Sequence, residues 1–286
     1  MVRPAILLTG ANGQLGFELA RALAPLGTVT ATDRATLDLG DADAIVEAVR
    51  GLAPELIVNA GAYTAVDRAE EDAERAHAIN ARAPAVLAEE AKRAGALLVH
   101  YSTDYVFDGT ARTPYTEDAV PKPLSVYGAS KLAGERAIAA SGAAALVLRT
   151  SWVYALRGSN FLLTMRRLAT ERDEIAVVAD QVGVPNWART LADATARVLA
   201  QGRASVAERR GLYHCSCAGE ASWHAFACAI LADMPHVRVR AITTAEYPRP
   251  ARRPAYAVLA SDRFSATFGV RLPPWQEALA ACLASA

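Results

Sequence analysis

A tyrosine and a lysine four residues apart, Tyr127 and Lys131, are the side chains of this sequence whose types and spacing best suit proton transfer. Residues at positions i and i+4 of a helix lie on one face, so a helix here would bring the two side chains together. A neighbouring ammonium favours the phenolate and lowers the pKa of a tyrosine from about 10 towards neutrality. The pair therefore predicts a tyrosine that donates or accepts a proton near neutral pH. Taken alone, the same spacing is also typical of an ordinary exposed helix face.

A glycine-rich turn stands before this pair, near the beginning of the chain. Apolar residues 5–8 predict a buried strand, glycines follow at positions 10, 13 and 16, and helical spacing of apolar residues begins at Phe17. In this context the glycines permit a tight turn and let a pyrophosphate approach the positive end of the helix. The arrangement predicts a dinucleotide-binding site.

The second predicted strand, residues 28–32, ends at an acid that is followed by a base. Asp33 lies about 20 residues after the glycine turn, where a carboxylate suits the adenosine ribose diol of NAD. Arg34 suits instead the 2′-phosphate of NADP. The two residues leave the choice between NADH and NADPH open, and we expect both cofactors to be accepted.

Strand and helix patterns alternate through the first half of the chain. The sequence predicts further strands at residues 56–58, 97–101 and 145–148, and helices at 41–50, at 73–94 and around Tyr127. Five strand–helix units in succession predict an α/β fold, a Rossmann-type doubly wound parallel sheet with right-handed crossovers.

The pattern is less regular after residue 152. It predicts helices near residues 161–170, 189–200, 221–233 and 274–282, and strands at 175–178 and 237–240. We therefore expect a dinucleotide-binding Rossmann domain over residues 1–152 and a smaller, mainly substrate-binding C-terminal lobe over residues 153–286. We expect no clean cut between the two lobes, because segments from each half are expected to be interleaved.

Composition excludes several classes of function. Thirty basic residues balance thirty acidic ones, so no field of one sign is available for nucleic acid or an anionic membrane. No apolar run approaches the roughly 20 residues that span a bilayer, and the N-terminus has no cleavable signal pattern, so we expect a cytoplasmic protein. The cysteines form no Cys-x-x-Cys pair, which favours small buried thiols over a metal site or a disulfide. They are Cys215, Cys217, Cys228 and Cys282.

The order of these motifs resembles that of the extended short-chain dehydrogenase/reductase family. A glycine turn, Asn-Ala-Gly-Ala at 59–62, Ser-Thr at 102–103 and Tyr-x-x-x-Lys at 127–131 follow one another as in that family. Longer segments resemble its dTDP-4-dehydrorhamnose reductases over nearly the whole chain, at residues 13–16, 101–109, 126–128, 149–154, 180–185 and 253–254. The resemblance implies an oxidoreductase that transfers a hydride from NADPH or NADH to the C4 ketone of dTDP-4-dehydro-L-rhamnose, giving dTDP-L-rhamnose.

The resemblance also implies roles for individual residues. Tyr127 would protonate the C4 oxygen, Lys131 would lower the pKa of the tyrosine and hold the nicotinamide ribose, and Thr103 would hydrogen-bond the same oxygen. Besides Tyr127 and Lys131, the implied cofactor-binding positions are Gly10, Gly13, Gln14, Leu15, Asp33, Asp38, Leu39, Ala62, Tyr63 and Thr64. The implied substrate-binding positions are Thr103, Asp104 and Trp152. We also expect Arg253 to bind a phosphate of the substrate, because an arginine fork suits phosphate oxygens.

Several of these positions have a structural alternative. Trp152 could be a core aromatic, Asp38 could cap the helix that follows it, and Arg253 could lie in a solvated proline-rich loop. Two departures weaken the transfer of substrate contacts in the second lobe. Asn186 stands where the family usually has threonine, and Ala257 stands where it usually has serine.

Other activities on the same fold differ at few residues. A sugar-nucleotide dehydratase carries Asp-Glu after the threonine, and Tyr105 in place of the glutamate disfavours elimination. A nucleotide-sugar 4-epimerase uses the same threonine, tyrosine and lysine with tightly held NAD. A non-catalytic NADP-binding regulatory subunit, like that of methionine adenosyltransferase, can retain them too.

The assembly and the pathway are less constrained by the sequence. Some relatives dimerise through magnesium held between glutamates, and Glu18 matches one such position. Arg189 occupies another, and because a cation cannot ligate a metal, we predict no metal site and no magnesium-bridged dimer. A monomer and a homodimer both stay open, as does the destination of the rhamnose, in lipopolysaccharide, another glycan or a small glycoside.

Overall fold

Parallel strands form the centre of the molecule in the computed structural model, which describes residues 3–285. The strands are β1 (Ala5–Thr9), β2 (Thr28–Thr32), β3 (Leu56–Asn59), β4 (Leu97–Thr103), β5 (Ala145–Thr150), β6 (Val153–Tyr154), β7 (Glu174–Val178), β8 (Val182–Gly183), β9 (Asn186–Trp187), β10 (Gly211–His214), β11 (Ala221–Ser222) and β12 (Arg238–Ile242). The helices are α1 (Gln14–Leu23), α2 (Ala42–Leu52), α3 (Ala73–His77), α4 (Ala83–Ala94), α5 (Val126–Ser141), α6 (Phe161–Glu171), α7 (Ala188–Leu199), α8 (Arg203–Glu208), α9 (Trp223–Ile230), α10 (Asp262–Phe268) and α11 (Trp275–Leu283).

The central sheet has the strand order β2-β1-β3-β4-β5-β10, and every neighbouring pair is parallel. The chain proceeds outward from β1 to β2 on one side and from β3 to β5 on the other, so the order reverses between β1 and β3. In open parallel sheets, ligands bind outside the carboxyl ends of the strands at such a reversal. The predicted α/β fold with a doubly wound parallel sheet is confirmed.

The middle strands are buried because helices cover both faces of the sheet. All residues of β3, β4 and β5 are buried. Along β1, Ile6 and Leu8 belong to the core that includes α1 and α7, whereas Leu7 belongs to the core that includes α2 and α4. Successive side chains of a strand point to opposite faces, so a strand covered on both faces is mostly apolar along its length.

Two helices near the site begin at capping side chains. Asp41 caps α2 by accepting a hydrogen bond from the Ala44 N–H at 3.1 Å. Ser125 caps α5 by accepting from the Gly128 N–H at 3.2 Å. Each cap satisfies a donor that the first turn of a helix leaves free, and the second fixes the start of the helix that carries Tyr127.

The helix predicted at residues 73–94 is interrupted in the structure. It consists of α3, a π-helical turn over Ala78–Arg82, and α4, which has Pro84 in its first turn. The π turn carries Asn80, a side chain that holds the loop after β3, as described below. Helical spacing of apolar residues continues through this turn, so the sequence pattern does not reveal it.

Residues after β5 form small sheets and helices and also join the central sheet. The pairs β7–β12 and β6–β9 are parallel, and β8–β11 is antiparallel. The four predicted helices of this half correspond to α6, α7, α9 and α11, whereas α8, α10 and β10 are not predicted. β10 pairs with β5 at the edge of the sheet, and α7 packs on α1. The division at residue 152 stays a prediction.

Within residues 3–285, none of the helices has the length and apolar character needed to cross a membrane.

Candidate active site

The glycine turn after β1 lies against the loop after β3. Gly10 has a φ of +73°, and a Cβ there would lie 2.6 Å from the backbone of Gly61. A Cβ on Gly16 would lie 2.0 Å from the Gly10 carbonyl oxygen. Gly13 begins α1 without a side-chain cap, which leaves the first N–H groups of the helix to a ligand. A cradle too narrow for side chains, at the positive end of a helix, fits the pyrophosphate of a dinucleotide.

Gln14 and Leu15 follow at the start of α1. Gln14 donates from Nε2 to the Val153 carbonyl at 3.3 Å, and its Oε1 is buried without a hydrogen-bond partner among the described residues. Leu15 is buried in the core. Gln14 therefore offers an acceptor to a bound cofactor, whereas Leu15 fixes the position of the helix.

Asp33 closes a turn at the end of β2. Its Oδ1 accepts from the backbone N–H groups of Ala35 and Thr36, each at 3.0 Å, and Asn12 donates to its Oδ2. Hydrogen bonds from Thr36 lower the pKa of Asp33. The contact with Asn12 places the carboxylate beside the glycine turn, while the Arg34 side chain is exposed.

Asp38 and Leu39 lie at the same edge of the sheet. The two Asp38 oxygens accept from Arg75 Nη2 at 2.7 and 2.6 Å, and this hydrogen bonding lowers the pKa of Asp38. The cap of α2 is Asp41, so the alternative in which Asp38 caps that helix is wrong. Leu39 packs against Gly61, where a Cβ would lie 2.5 Å from Leu39 Cδ1.

Ala62, Tyr63 and Thr64 continue from β3 past the reversal of strand order. The Tyr63 N–H donates to Asn80 Oδ1 at 2.9 Å, and Asn80 Nδ2 donates back to the Tyr63 carbonyl at 3.0 Å. The same amide donates to Ser130 Oγ at 3.0 Å. Asn80 thus ties the predicted cofactor loop to α5. Thr64 is exposed and Ala62 is half-buried.

Thr103, Asp104 and Tyr127 meet at the carboxyl end of β4. Thr103 Oγ1 donates to Asp104 Oδ1 at 3.0 Å, and the Thr103 side chain lies beside the Tyr127 hydroxyl. Asp104 Oδ2 is buried and has no hydrogen-bond partner in the described part of the chain. Burial raises the pKa of Asp104 to about 7. Tyr127 is half-buried, so its hydroxyl can meet a substrate.

The pKa of Tyr127 differs from the sequence prediction. Burial raises it to about 12, the neighbouring Thr103 hydroxyl opposes the rise, and the charge of Asp104 adds to it. The predicted lowering of the pKa by Lys131 is therefore wrong for this structure. Tyr127 holds its proton at neutral pH.

Lys131 is buried one helical turn after Tyr127 and has partners of its own. Its Nζ donates to the Tyr101 carbonyl at 2.6 Å and lies 3.3 Å from His100 Nε2. Burial lowers the pKa of Lys131 to about 8, and the charge of Glu135 opposes that shift. The amine can therefore change its charge close to neutral pH.

Arg253 forms a doubly hydrogen-bonded ion pair with Asp67, with both N–O distances at 3.0 Å. Arg249 Nε donates to the same carboxylate at 3.0 Å. Hydrogen bonds from Arg253 and then from Arg249 lower the pKa of Asp67 to about 2. Arg253 also contacts Tyr105, whose ring packs edge-to-face on Tyr127 with centroids 5.5 Å apart. Arg253 is thus close to the site but already paired with a carboxylate.

Trp152 follows β5 and stacks on Trp223, with ring centroids 3.5 Å apart and an angle of 8° between the planes. Its φ of +42° is in the left-handed region, which costs roughly 1–3 kcal/mol for a residue with a side chain. A Cβ on Gly183 would lie 2.6 Å from the Trp152 ring. Trp152 packs against the core yet stays half-buried, so part of a flat apolar ring is open to a sugar.

The two departures from the family pattern lie inside the fold. Asn186 is fully buried, and its Nδ2 donates to the carbonyls of Ser151 and Val184 at 2.8 and 3.0 Å. Its Oδ1 accepts from the Cys217 N–H at 2.6 Å. Ala257 is also buried. In this structure both residues are part of the buried framework of the second half.

Glu18 is bound by arginines of its own chain. Arg189 Nε donates to Glu18 Oε2 at 3.0 Å, and Arg21 Nε donates to the same atom at 3.3 Å. Residues 3–285 contain no group of three or more His, Cys, Asp and Glu side chains that could hold a metal ion.

All four cysteines are free thiols, and Cys228 is exposed, which the expectation of buried thiols did not foresee.

Sequence reasoning missed several residues that shape the site. His100 interrupts the apolar run of β4, and a polar residue in a strand buried on both faces is a signal that could have found it. Asn59 ends β3 within a recognised motif, but no role follows from the motif itself. Nothing in the local sequence marks Asn80 or Trp223.

Known proteins resemble this chain over its whole length. The model of the RmlD substrate binding domain matches residues 4–286. The dTDP-4-dehydrorhamnose reductase of Burkholderia thailandensis is 50% identical over 290 residues, which cover 97% of each chain. That of Escherichia coli K12 is 44% identical and covers 95% of this chain and 94% of the relative. The crystal structure of dTDP-4-dehydrorhamnose reductase from Bacillus anthracis in complex with NADP has a TM-score of 0.94 at 34% identity, with full coverage of both chains.

Proposed function

The chain belongs to the family of dTDP-4-dehydrorhamnose reductases, and on this premise we propose that it reduces the C4 ketone of dTDP-4-dehydro-L-rhamnose to dTDP-L-rhamnose with NADPH or NADH. The observation that carries the proposal is the grouping of Thr103, Asp104 and Tyr127 at the end of β4. This group lies at the carboxyl ends of the parallel strands, on the same side of the sheet as the glycine cradle at the reversal of strand order. A proton donor beside a dinucleotide site is what carbonyl reduction requires.

Each residue of the site has a part in this reaction. The reduced nicotinamide, when bound, supplies the hydride to the carbonyl carbon. Tyr127 donates its phenolic proton to the carbonyl oxygen as negative charge develops there, and Thr103 hydrogen-bonds that oxygen or the phenol. Lys131, one turn along α5, holds the nicotinamide ribose.

The substrate contacts involve less regular parts of the chain. Trp152 provides the flat surface for the deoxysugar, and Asp104 bonds a sugar hydroxyl through its unpartnered Oδ2. Arg253 binds a phosphate of the dTDP group. Because a guanidinium has five N–H donors, it can share them between Asp67 and a phosphate. A cytoplasmic location and a monomeric or homodimeric state remain predictions from the sequence.

The decisive experiment follows the absorbance of NADPH mixed with dTDP-4-dehydro-L-rhamnose, with NADH in a parallel reaction. We expect both cofactors to be oxidised and dTDP-L-rhamnose to form. A preference of about a thousandfold for either cofactor, roughly 4 kcal/mol, would contradict the proposed dual use. Cofactor binding without oxidation would contradict the reductase. Interconversion of 4-hydroxy epimers would then indicate an epimerase, and no turnover of any sugar would indicate a regulatory binding protein.

A further inference from the structure

The helix that carries Tyr127 packs on its neighbours with few large apolar side chains. Seven residues of α5 are buried, and only Leu132 and Ile138 among them are large and apolar. The others are Gly128, Ser130, Lys131, Gly134 and Glu135. Because hydrophobic contact is non-directional and most of these side chains are small or polar, apolar packing alone fixes the position of α5 along its axis only loosely.

Glu135 binds α5 to two middle strands of the central sheet. It is 7% exposed and lies two helical turns after Tyr127. Arg149 of β5 donates from Nε to Glu135 Oε1 at 2.8 Å and from Nη2 to Oε2 at 2.6 Å. Ser102 of β4 donates from Oγ to the same Oε1. One carboxylate of the helix thus accepts hydrogen bonds from two neighbouring strands.

The register of β4 and β5 places the two donors side by side. Ser102 and Arg149 are paired directly across the strands, so their side chains lie on the same face of the sheet. Thr103 follows Ser102 in β4, and its side chain lies beside the Tyr127 hydroxyl. The bond to Glu135 therefore starts one residue away from the group that meets the substrate. A shift of α5 along β4 would change the distance between Thr103 and Tyr127.

Stability alone does not explain why this ion pair is buried. Arg149 is 1% exposed, and its Nη1 is buried without a hydrogen-bond partner among residues 3–285. Taking two charges out of water costs free energy that their attraction often does not return, so apolar side chains of similar volume are often no less stable. An arginine that binds both oxygens of a carboxylate does, however, impose a specific geometry. The pair is therefore better suited to fixing the position of α5 than to stabilising the fold.

We propose that Glu135 is a positioning residue for the reduction: bound by Arg149 and Ser102, it fixes α5 against β4 and so sets the distance between Tyr127 and Thr103. The effect on turnover, though not the contact itself, rests on the proposed reductase function. Proton transfer requires the phenol within hydrogen-bond reach of the carbonyl oxygen, and a displacement of about 1 Å can cost about 10²-fold in rate.

Two variants test the proposal by oxidation of NADPH with the dTDP-sugar. Ser102→Ala removes the bond from β4 and keeps the ion pair, and we expect kcat to fall about tenfold with KM for NADPH nearly unchanged. Glu135→Asp keeps the charge and moves the carboxylate back by one methylene group, so kcat should fall at least as far. If only the charge of Glu135 mattered, Glu135→Asp would keep its kcat.

Thr195→Val is the matched control. Thr195 Oγ1 forms a buried hydrogen bond of 2.6 Å with the hydroxyl of Tyr101, the residue of β4 before Ser102. Successive side chains of a strand point to opposite faces, so this bond lies on the face away from α5. The control should lose stability in urea as Ser102→Ala does, yet keep full kcat. If Ser102→Ala and Glu135→Asp keep the kcat of the control, the proposal is overturned.

A second measurement uses no substrate and covers the case in which Glu135→Asp does not fold. Backbone hydrogen exchange followed by mass spectrometry should be several-fold faster over residues 127–134 in Ser102→Ala than in wild type, with exchange in α2 unchanged. Unchanged exchange in α5, or an equal increase in α2, would overturn the proposal. A wild-type protein without turnover would contradict the proposed function and leave the exchange result standing.

Discussion

At the scale of single residues, the site holds its proton donor, Tyr127, in the protonated form. The pKa of Tyr127 is about 12, with burial as the main cause. Reduction of a ketone consumes a proton, whereas oxidation of an alcohol needs a base. The surroundings of Tyr127 therefore favour reduction, and they do so without a direct effect of the neighbouring ammonium.

Replacing the donor alone should separate chemistry from binding. Tyr127→Phe removes the proton donor and keeps the ring, so turnover should fall by about 10²–10⁴-fold while the affinity for NADPH stays within a few-fold. Turnover is measured by cofactor oxidation, and affinity by a fluorescence titration. Tyr115→Phe, a change at a buried tyrosine that contacts Asp108, is the control and should keep full turnover. Equal turnover in Tyr127→Phe would exclude the assigned role.

Asp104 makes stability depend on pH in an unusual direction. Its pKa of about 7 in the folded protein exceeds the value of about 3.9 in an unfolded chain. The folded protein therefore binds the proton more tightly, and stability falls as the pH rises from about 4 to about 7. Asp104→Asn cannot ionise, so the stability of this variant relative to wild type should be about 2 kcal/mol greater at pH 8 than at pH 5.

Urea denaturation at the two pH values measures this difference. Asp43→Asn, at an exposed carboxylate in the first turn of α2, should show nearly the same difference from wild type at both pH values. If Asp104→Asn behaves like this control, Asp104 does not carry a raised pKa.

At the scale of elements, a strand could be predicted from the sequence only where its burial requires a run of apolar residues. Strands buried on both faces are mostly apolar, and this is why residues 5–8 and 97–101, where only His100 departs from the pattern, were predicted as strands. β10 joins the same sheet, but its four residues include Gly211 and His214 and therefore form no apolar run that predicts a strand. The ion pair of Asp67 with Arg253 joins residues 186 positions apart, and no local pattern encodes a contact at that separation.

That ion pair should contribute measurably to stability. The side chains of Asp67 and Arg253 are 21% and 18% exposed, so water screens the pair less than a surface pair. Asp67→Asn should lower the free energy of unfolding by about 1–3 kcal/mol at pH 7. The pKa of Asp67 is lowered to about 2, so this stability is present above about pH 4 and is lost as the pH falls through about 2. Glu171→Gln breaks the exposed pair with Arg167 and should cost under about 0.5 kcal/mol. Similar costs for both variants would contradict this account.

The start of α9 should affect substrate binding through Trp152. Trp223 supports the Trp152 ring from one side, so Trp223→Leu lets that ring move. An aromatic pair contributes about 0.5–1.5 kcal/mol, so KM for the dTDP-sugar should rise about tenfold or less, with KM for NADPH unchanged. Trp275→Phe, in α11, removes another tryptophan as the control. A rise in both KM values would indicate a general loss of structure instead.

At the scale of the whole molecule, the second half of the chain is bound to the first by several elements. β10 extends the central sheet beside β5, α7 packs on α1, and Arg189 of α7 binds Glu18 of α1. One of the two main hydrophobic cores contains residues from both halves, such as Leu19 and Leu191. Elements that share a core and a sheet are expected to unfold together.

The tryptophans allow this expectation to be tested, because all four, at positions 152, 187, 223 and 275, lie in the second half. Tryptophan fluorescence therefore reports that half, whereas far-ultraviolet circular dichroism reports helices and strands of both. We expect coincident urea transitions by the two probes. NADPH, whose predicted contacts lie almost entirely in the first half, should raise both midpoints equally, because ligand binding stabilises the whole cooperative unit. If NADPH shifts only the dichroism midpoint, the halves unfold independently, and the division at residue 152 is then a true domain boundary despite the shared sheet.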